Sequence, residues 1–127
     1  MDLELETMNI LIADDLKIYR LALKSYIHKL WPDAVVYEES NLDSVVKDVF
    51  DIAYDLLILD INVPGNDQLE DFVKQAVKYT KVIIFSELEH DHPRVQNLID
   101  IGADAFLSKA ATQHEVSTTL LFVLSEV

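Results

Sequence analysis

The sequence predicts an α/β domain in which a parallel β-sheet is covered by helices on both faces. Short apolar runs of strand length alternate regularly with longer segments whose apolar residues recur at helical spacing. The runs are nearly continuous rather than alternating, which is typical of strands buried on both faces. No repeat or linker interrupts this order, and 127 residues is the usual length of one domain.

The strands are predicted from the apolar runs. Residues 1–7 form a polar, acidic segment ahead of the first run, and we expect a flexible N-terminal leader there and one domain over residues 8–127. Half of the residues are apolar, so a core can form without disulfides or structural metals. The five predicted strands are residues 9–13, 34–37, 56–59, 81–85 and 103–107.

Helical segments follow each strand. The first, residues 16–30, ends before Pro32 because the residue preceding a proline disfavours the α region. Ser40 or Asn41 is expected to cap the second helix, and Gly102 to end the fourth. The third helix follows a turn at residues 64–67, and the last begins after Thr112 and runs to Val127. Apolar residues at helical spacing mark helices two to five: Leu42, Val45, Val46, Val49; Leu69, Phe72, Val73, Ala76, Val77; Val95, Leu98, Ile99; Val116, Leu120, Val123, Leu124 and Val127.

The composition excludes several classes of protein. The chain has no cysteine, so it forms no disulfide and offers no thiolate nucleophile or cysteine ligand for zinc. Its formal net charge of −13 would repel a phosphate backbone, so we expect no nucleic-acid binding by this chain alone. The apolar runs are shorter than the roughly 20 residues that cross a bilayer, and no secretory-signal pattern is present. We therefore expect a cytoplasmic protein without a membrane partner.

Polar side chains of the kinds that bind ligands or take part in catalysis follow four of the predicted strands. Asp14 and Asp15 follow the first strand, Asp60 the third, Ser86 the fourth and Lys109 the fifth. In open α/β sheets the carboxyl ends of the strands share one edge, where ligands bind. Carboxylate oxygens brought together at that edge would attract a cation, and Mg²⁺ prefers such ligands.

This set of residues suits phosphoryl transfer. Asp60, alone at the end of the strand expected at the centre, is placed to act as a nucleophile and form an acyl phosphate. Asp14 and Asp15 would hold the metal, while Lys109 and Ser86 would contact phosphoryl oxygens. Each residue also has a structural interpretation. The acid pair can begin a helix, Asp60 can form a turn, and the serine and lysine can be ordinary polar residues at strand ends.

The chain resembles the receiver domain of two-component response regulators over residues 8–127. The matching motifs are ILIADD, DLLILDINVPG, VIIFS and GADAFLSK, in this order and each at a strand end. The resemblance implies a flavodoxin-like (βα)5 sandwich with a five-stranded parallel sheet of order 2-1-3-4-5. It also implies a signalling switch rather than an enzyme.

The resemblance implies a role for each site residue. Asp60 would accept a phosphoryl group from the phosphohistidine of a sensor histidine kinase or phosphotransfer protein. The metal, Mg²⁺ or Mn²⁺, would be held by Asp14, Asp15, Asp60 and the backbone carbonyl of Asn62.

The resemblance further assigns a switch between two states. Ser86 would be the switch hydroxyl, Lys109 would pair with phosphoryl oxygens, and Phe106 stands at the position of an aromatic switch residue, although core packing explains that residue equally well. Partners would include an output domain or partner protein, and a homodimer in some family members. The motif around Lys109 lacks a following proline, and in this respect it resembles the same motif in receivers joined to helix-turn-helix DNA-binding domains that regulate transcription.

Four features depart from the family pattern. Glu87 replaces a small residue after the switch hydroxyl, and it could obstruct or repel the phosphoryl donor. Ala110 replaces a proline in a cis bond, and Gln68 replaces a glycine. The loop of residues 86–93 is one residue longer than usual. These departures leave open a pseudo-receiver that has the same fold but is not phosphorylated. A phosphohydrolase is a further alternative, for which the sequence offers no additional acid or base.

Overall fold

The structure, a computed structural model, describes residues 7–63 and 66–125. The predicted leader apart from Thr7, half of the predicted turn at residues 64–67, and residues 126–127 lie outside the described residues. The last helix was predicted to run to Val127, but it ends at Leu124, because the backbone of Ser125 is extended rather than helical. Within the described part of the chain, no helix is long and apolar enough to cross a membrane.

A five-stranded parallel sheet forms the centre of the molecule, as predicted. Its strand order is β2-β1-β3-β4-β5, so β3, which ends at Asp60, is the central strand. Both faces of β3 are buried, which explains why its sequence is continuously apolar. The strands are β1 (Asn9–Ala13), β2 (Val35–Glu39), β3 (Leu56–Asp60), β4 (Lys81–Ser86) and β5 (Ala105–Ser108).

The two edge strands depart from their predicted bounds. β2 extends to Glu39 because its backbone pairs with β1 as far as Ala13, so the two polar residues after the apolar run belong to the strand. β5 begins at Ala105, two residues later than predicted, because the backbone N–H of Ala103 donates to the carbonyl of Leu98 and closes the preceding helix.

Three of the helices have a capping residue at one end. The carboxamide oxygen of Asn41 accepts a hydrogen bond from the Ser44 N–H at 2.9 Å, which decides between the two predicted caps of the second helix. Thr112 forms a capping box with Glu115. Gly102 ends the fourth helix with φ of 132°, a conformation that other residues rarely adopt. The helices are α1 (Lys17–Leu30), α2 (Leu42–Asp51), α3 (Leu69–Ala76), α4 (Pro93–Ile101) and α5 (Gln113–Leu124), and a short 3-10 helix covers Asn66–Gln68.

Two apolar cores lie on opposite faces of the sheet. One core joins the sheet to α2, α3 and α4, and the other joins it to α1 and α5. Because each strand contributes alternate residues to the two cores, the polar residues at the carboxyl ends of the strands are held in fixed positions at one edge. The observed architecture is therefore the predicted flavodoxin-like sandwich.

Candidate functional site

The three aspartates meet at the carboxyl edge of β1 and β3. Asp14 and Asp15 directly follow β1, and Asp60 is the last residue of β3, which pairs with β1 through Ala13 and Leu59. One carboxylate oxygen from each aspartate lies within 4.8 Å of the other two. Asp14 and Asp60 are buried, with 0% and 1% exposure, whereas Asp15 is exposed and opens the cluster to solvent.

Lys109 reaches the same cluster from the end of β5. Its Nζ lies 2.8 Å from Oδ2 of Asp14 and 3.3 Å from Oδ2 of Asp60, and its side chain is only 5% exposed. The backbone N–H of Lys109 donates to the carbonyl of Ser86 at 2.9 Å, which ties the end of β5 to the end of β4. The sequence therefore placed these four charged groups correctly at one edge, although their roles stay predictions.

The cluster carries more negative than positive charge. Burial, together with the nearby Asp14 carboxylate, raises the pKa of Asp60 above its usual value, while the Asn62 N–H and Lys109 oppose that rise. Burial alone would lower the pKa of Lys109, but its contacts with Asp14 and Asp60 outweigh burial and raise it. Lys109 is thus held in its charged form, and its ammonium contacts two of the three carboxylates of the cluster.

This donor set fits a divalent cation. Three carboxylate oxygens converge, and the single ammonium leaves their charge only partly neutralised. Hard oxygen ligands of this kind suit Mg²⁺, Mn²⁺ and Ca²⁺. Among the described residues that can ligate a metal, Glu87 and the histidines are not part of the cluster.

The loop after β3 is shaped by Asp60 itself. The Asn62 N–H donates to Oδ1 of Asp60 at 3.0 Å, and the Val63 N–H donates to the Asp60 carbonyl at 3.2 Å. Gln68, which replaces a glycine of the family pattern, has φ of −114°, so this position does not need the left-handed backbone that favours glycine.

Comparison with known proteins identifies the family. The model of the response regulator receiver domain matches residues 10–121 of the chain. The chain belongs to the response regulator receiver domain family. Receiver domains of this family are signalling switches rather than enzymes of the ordinary kind.

Individual relatives agree with this assignment. The chain is 30% identical over 106 residues to the nitrate/nitrite response regulator protein NarL of Escherichia coli strain K12, covering 82% of this chain and 49% of that protein. It is 30% identical over 120 residues to the transcriptional activator protein ExaE of Pseudomonas putida, covering 93% of this chain and 56% of that protein. The chain thus spans about half the length of these curated relatives.

A solved response regulator from Burkholderia pseudomallei shares the fold. It superposes with a TM-score of 0.73 at 17% identity, covering 93% of this chain and 66% of that one. Its structure contains a phosphorylated aspartic acid, a calcium ion and citrate.

Ser86, the predicted switch residue, is fully buried. Ser86 ends β4, and its Oγ accepts a hydrogen bond from the Leu88 N–H at 2.9 Å. Phe106, on β5, is half-buried and packs against the core that includes α4. The structure therefore allows both interpretations of Phe106, as a switch residue and as a core residue.

Glu87 lies on the surface of the receiver domain and points toward α1. Its side chain is exposed, and Oε2 lies 3.5 Å from the hydroxyl of Tyr19. The longer loop that follows Glu87 ends at His92, whose Nδ1 accepts from the Arg94 N–H and caps α4. His92 therefore has a structural role, as does Pro93, which occupies the first turn.

The loop after Lys109 is built without a cis peptide. No described residue has a cis peptide bond, and the Ala110 N–H donates instead to Oγ of Ser108 at 3.0 Å. The loop that lacks the family's proline is therefore built with trans peptides and a hydrogen bond from Ala110 to Ser108.

The sequence did not indicate that Arg20 supports the site. Its Nη1 donates to the carbonyl of Asp14 at 2.7 Å, while its Nε bonds to Glu38 of β2 at 2.9 Å. Arg20 therefore fixes the backbone that carries the acid pair. The only available signal was a basic residue one turn after that pair, which is common on helices.

Proposed function

We propose that this receiver domain accepts a phosphoryl group on Asp60 from a sensor histidine kinase or a phosphotransfer protein, in a reaction that depends on Mg²⁺. The observation that carries the proposal is the position of Lys109, whose ammonium lies between Asp14 and Asp60 within 3.3 Å of both carboxylates. A buried nucleophilic carboxylate, a cation beside it and two further carboxylates for a metal are the parts that this reaction needs.

In the proposed transfer, a carboxylate oxygen of Asp60 attacks the phosphorus of a phosphohistidine. The O–P bond forms as the P–N bond breaks, and the imidazole leaves with the bonding electrons and takes up a proton. Lys109 is placed to offset negative charge on the phosphoryl oxygens. When bound, Mg²⁺ supplies further charge neutralisation there, held by Asp14, Asp15, Asp60 and the carbonyl of Asn62. Mn²⁺ could take the same position.

Phosphorylation is proposed to act as a switch through Ser86 and Phe106. The Ser86 hydroxyl would leave the Leu88 N–H for a phosphoryl oxygen, and β4, β5 and α4 would change position with it. The affected surface would then bind an output domain or a partner protein. The phosphorylated aspartic acid and calcium ion in the Burkholderia pseudomallei structure support the proposed phosphorylation and metal binding, since that protein has the same fold.

The biological setting is proposed from the relatives. The receiver domain would span residues 8–127 and act in the cytoplasm, either as a homodimer or joined to an output domain that regulates transcription. ExaE is a transcriptional activator, and the curated relatives extend beyond the matched region; both observations support this setting.

Phosphorylation can be tested with acetyl phosphate and Mg²⁺. We expect intact-mass measurement to show one added phosphate on the wild-type chain and none on Asp60→Asn. A phosphate that persists in the variant would place the chemistry at another residue. Asp100→Asn, which changes an exposed aspartate on α4, is the matched control and should be phosphorylated normally.

Metal binding can be tested by calorimetric titration with Mg²⁺. Asp15→Ala and Asp60→Ala should each weaken binding at least about tenfold, since even indirect support of a metal ligand is worth that much. Asp43→Ala, on the exposed face of α2, should leave the affinity unchanged. Unchanged affinity in the first two variants would contradict the assigned ligands.

Glu87 supports a pseudo-receiver as the alternative, because its carboxylate follows the switch serine directly. A chain that binds Mg²⁺ but takes no phosphate from acetyl phosphate or from a histidine kinase would favour that alternative. Restored phosphorylation in Glu87→Ala would then identify Glu87 as the cause.

A further inference from the structure

Tyr19, in the first turn of α1, contacts three residues at the carboxyl edge of the sheet. The Nζ of Lys109 lies 4.2 Å from the centre of its ring. Its ring also packs edge-on against Phe85, with centroids 5.6 Å apart and planes at 83°. Its hydroxyl lies 3.5 Å from Oε2 of Glu87. One half-buried side chain therefore connects α1 with the ends of β4 and β5.

The Lys109 ammonium is enclosed by two kinds of group. The carboxylates of Asp14 and Asp60 lie within 3.3 Å of it, and the rings of Tyr19 and Phe85 have their centres at 4.2 and 5.3 Å. The face of an aromatic ring is electronegative and attracts a cation, most strongly where water is excluded. With the lysine side chain only 5% exposed, the ring takes the place that water would otherwise occupy.

We propose that Tyr19 is a positioning residue for phosphorylation, and that its ring holds the Lys109 ammonium in place beside Asp60. This inference rests on the proposed function, because it concerns the lysine that would contact the phosphoryl group. A lysine side chain has a flexible four-carbon stem, so a fixed position for its ammonium depends on what surrounds it. The two carboxylates attract the ammonium from one side, and the Tyr19 ring limits its movement away from them.

The ring matters most when the phosphoryl group arrives. Negative charge then develops farther from Asp60, and the ammonium must face those new oxygens rather than both carboxylates. A preorganised ammonium does so without first losing a water shell or changing rotamer. Without the ring, Lys109 would exchange its contact with the aromatic face for water and would spend less time in the productive position.

The experiment varies the charge on the ring face while keeping its size nearly constant. Phenylalanine, trifluorophenylalanine and pentafluorophenylalanine are placed at position 19, and the rate of phosphorylation by acetyl phosphate with saturating Mg²⁺ is measured by intact mass. Fluorine withdraws electron density from the ring face, so the attraction for a cation falls along this series. We expect the rate to fall about three- to tenfold from the first member to the last, which corresponds to an ordinary cation–π interaction.

Controls separate positioning from folding. The same series at Tyr79, an exposed tyrosine beyond the opposite end of β4, should leave the rate unchanged. Thermal unfolding should show that all variants are folded. Because the three rings have similar shape, a purely structural role would not produce a graded change in rate.

The outcomes distinguish the two proposals. A wild-type chain that takes no phosphate on Asp60 overturns the proposed function, and the role of Tyr19 with it. A wild-type chain that is phosphorylated normally, combined with equal rates along the series at position 19, overturns only the inference about Tyr19. A graded loss at position 19 and none at position 79 supports both.

Discussion

The hydroxyl of Ser86 accepts a hydrogen bond from the backbone N–H of Leu88 at 2.9 Å. The Ser86 hydroxyl, which we propose as the switch group, therefore holds its own loop in place, two residues further along the chain. If Ser86 turns toward a phosphoryl group on Asp60, the Leu88 N–H loses this acceptor. The amide of Leu88 is thus a direct reporter of the proposed switch.

We predict that phosphorylation increases hydrogen exchange at the Leu88 amide. In Ser86→Ala the amide has no hydroxyl to bind, so its exchange should be fast both before and after phosphorylation. Exchange followed by NMR would check this expectation. The Val82 amide, which donates to Oδ2 of Asp104 at 2.8 Å at the opposite end of the sheet, should be unaffected. Slow exchange at Leu88 in the phosphorylated protein would mean that Ser86 does not turn.

We predict that Asp60→Asn stabilises the fold at neutral pH in the absence of divalent metal. Burial and the Asp14 carboxylate raise the pKa of Asp60, so the folded protein binds its proton more tightly than the unfolded chain does. Stability therefore falls as pH rises from the ordinary value of 3.8 through the raised pKa. The gain in the free energy of unfolding at pH 7 should be on the order of 1 kcal/mol, the usual size of the contribution from a carboxylate whose pKa differs between the folded and unfolded states.

Urea unfolding at several pH values would measure this gain. The difference between the wild type and Asp60→Asn should disappear at pH values well below 3.8, where the carboxyl is protonated in both the folded and the unfolded state. Asp100→Asn should show little change at any pH. A gain that is equally large at low pH would point to packing rather than to charge.

We predict that Lys109→Ala destabilises the receiver domain and that Mg²⁺ recovers part of the loss. The substitution leaves the buried carboxylates of Asp14 and Asp60 without their cation, and breaking a buried pair costs about 3–5 kcal/mol. Urea unfolding with and without Mg²⁺ would check both parts. Lys81→Ala removes a lysine that is 52% exposed and 4.0 Å from Asp104, and should cost at most about 1 kcal/mol.

We predict that Glu87 slows phosphorylation only modestly. Its carboxylate is exposed and directed toward the Tyr19 hydroxyl, so solvent screens its repulsion of an anionic donor. Glu87→Ala and Glu87→Gln should both accelerate phosphorylation by acetyl phosphate, by at most about fivefold, and the gain should shrink as salt rises. A gain for alanine but not for glutamine would instead indicate that the bulk of the side chain obstructs the donor.

Most of the fold could be predicted because apolar residues are spaced differently in buried parallel strands and in amphipathic helices. β1 was predicted at its observed bounds, since its nearly continuous apolar run ends directly before Asp14. β2 was predicted too short, because pairing with β1 extends it over Glu38 and Glu39, which carry no apolar signal. The start of α4 at Pro93 was also missed, since a histidine is an unusual cap.

The sequence could predict only those site residues that lie at the end of a strand. Asp14, Asp60 and Lys109 were placed together because topology brings the carboxyl ends of parallel strands to one edge. The contribution of Tyr19 could not be predicted. Its spacing marks it as a residue on the buried face of α1, and its contact with Lys109, ninety residues later in the chain, depends on how α1 packs against β4 and β5.

The charges on the edge strand β2 affect whether a second molecule can add a strand to the sheet. A sheet edge presents unpaired backbone groups on which a further strand can add, and like charges along the edge oppose such growth. The carboxyl half of β2 carries Glu38 and Glu39, and Glu38 is already bound by Arg20 and Lys24 of α1. A second copy that aligned the same strand would bring its own glutamates against these. Continuation of the sheet from one molecule to the next in parallel register, a route by which exposed edges lead to fibrous aggregates, is therefore disfavoured at this edge.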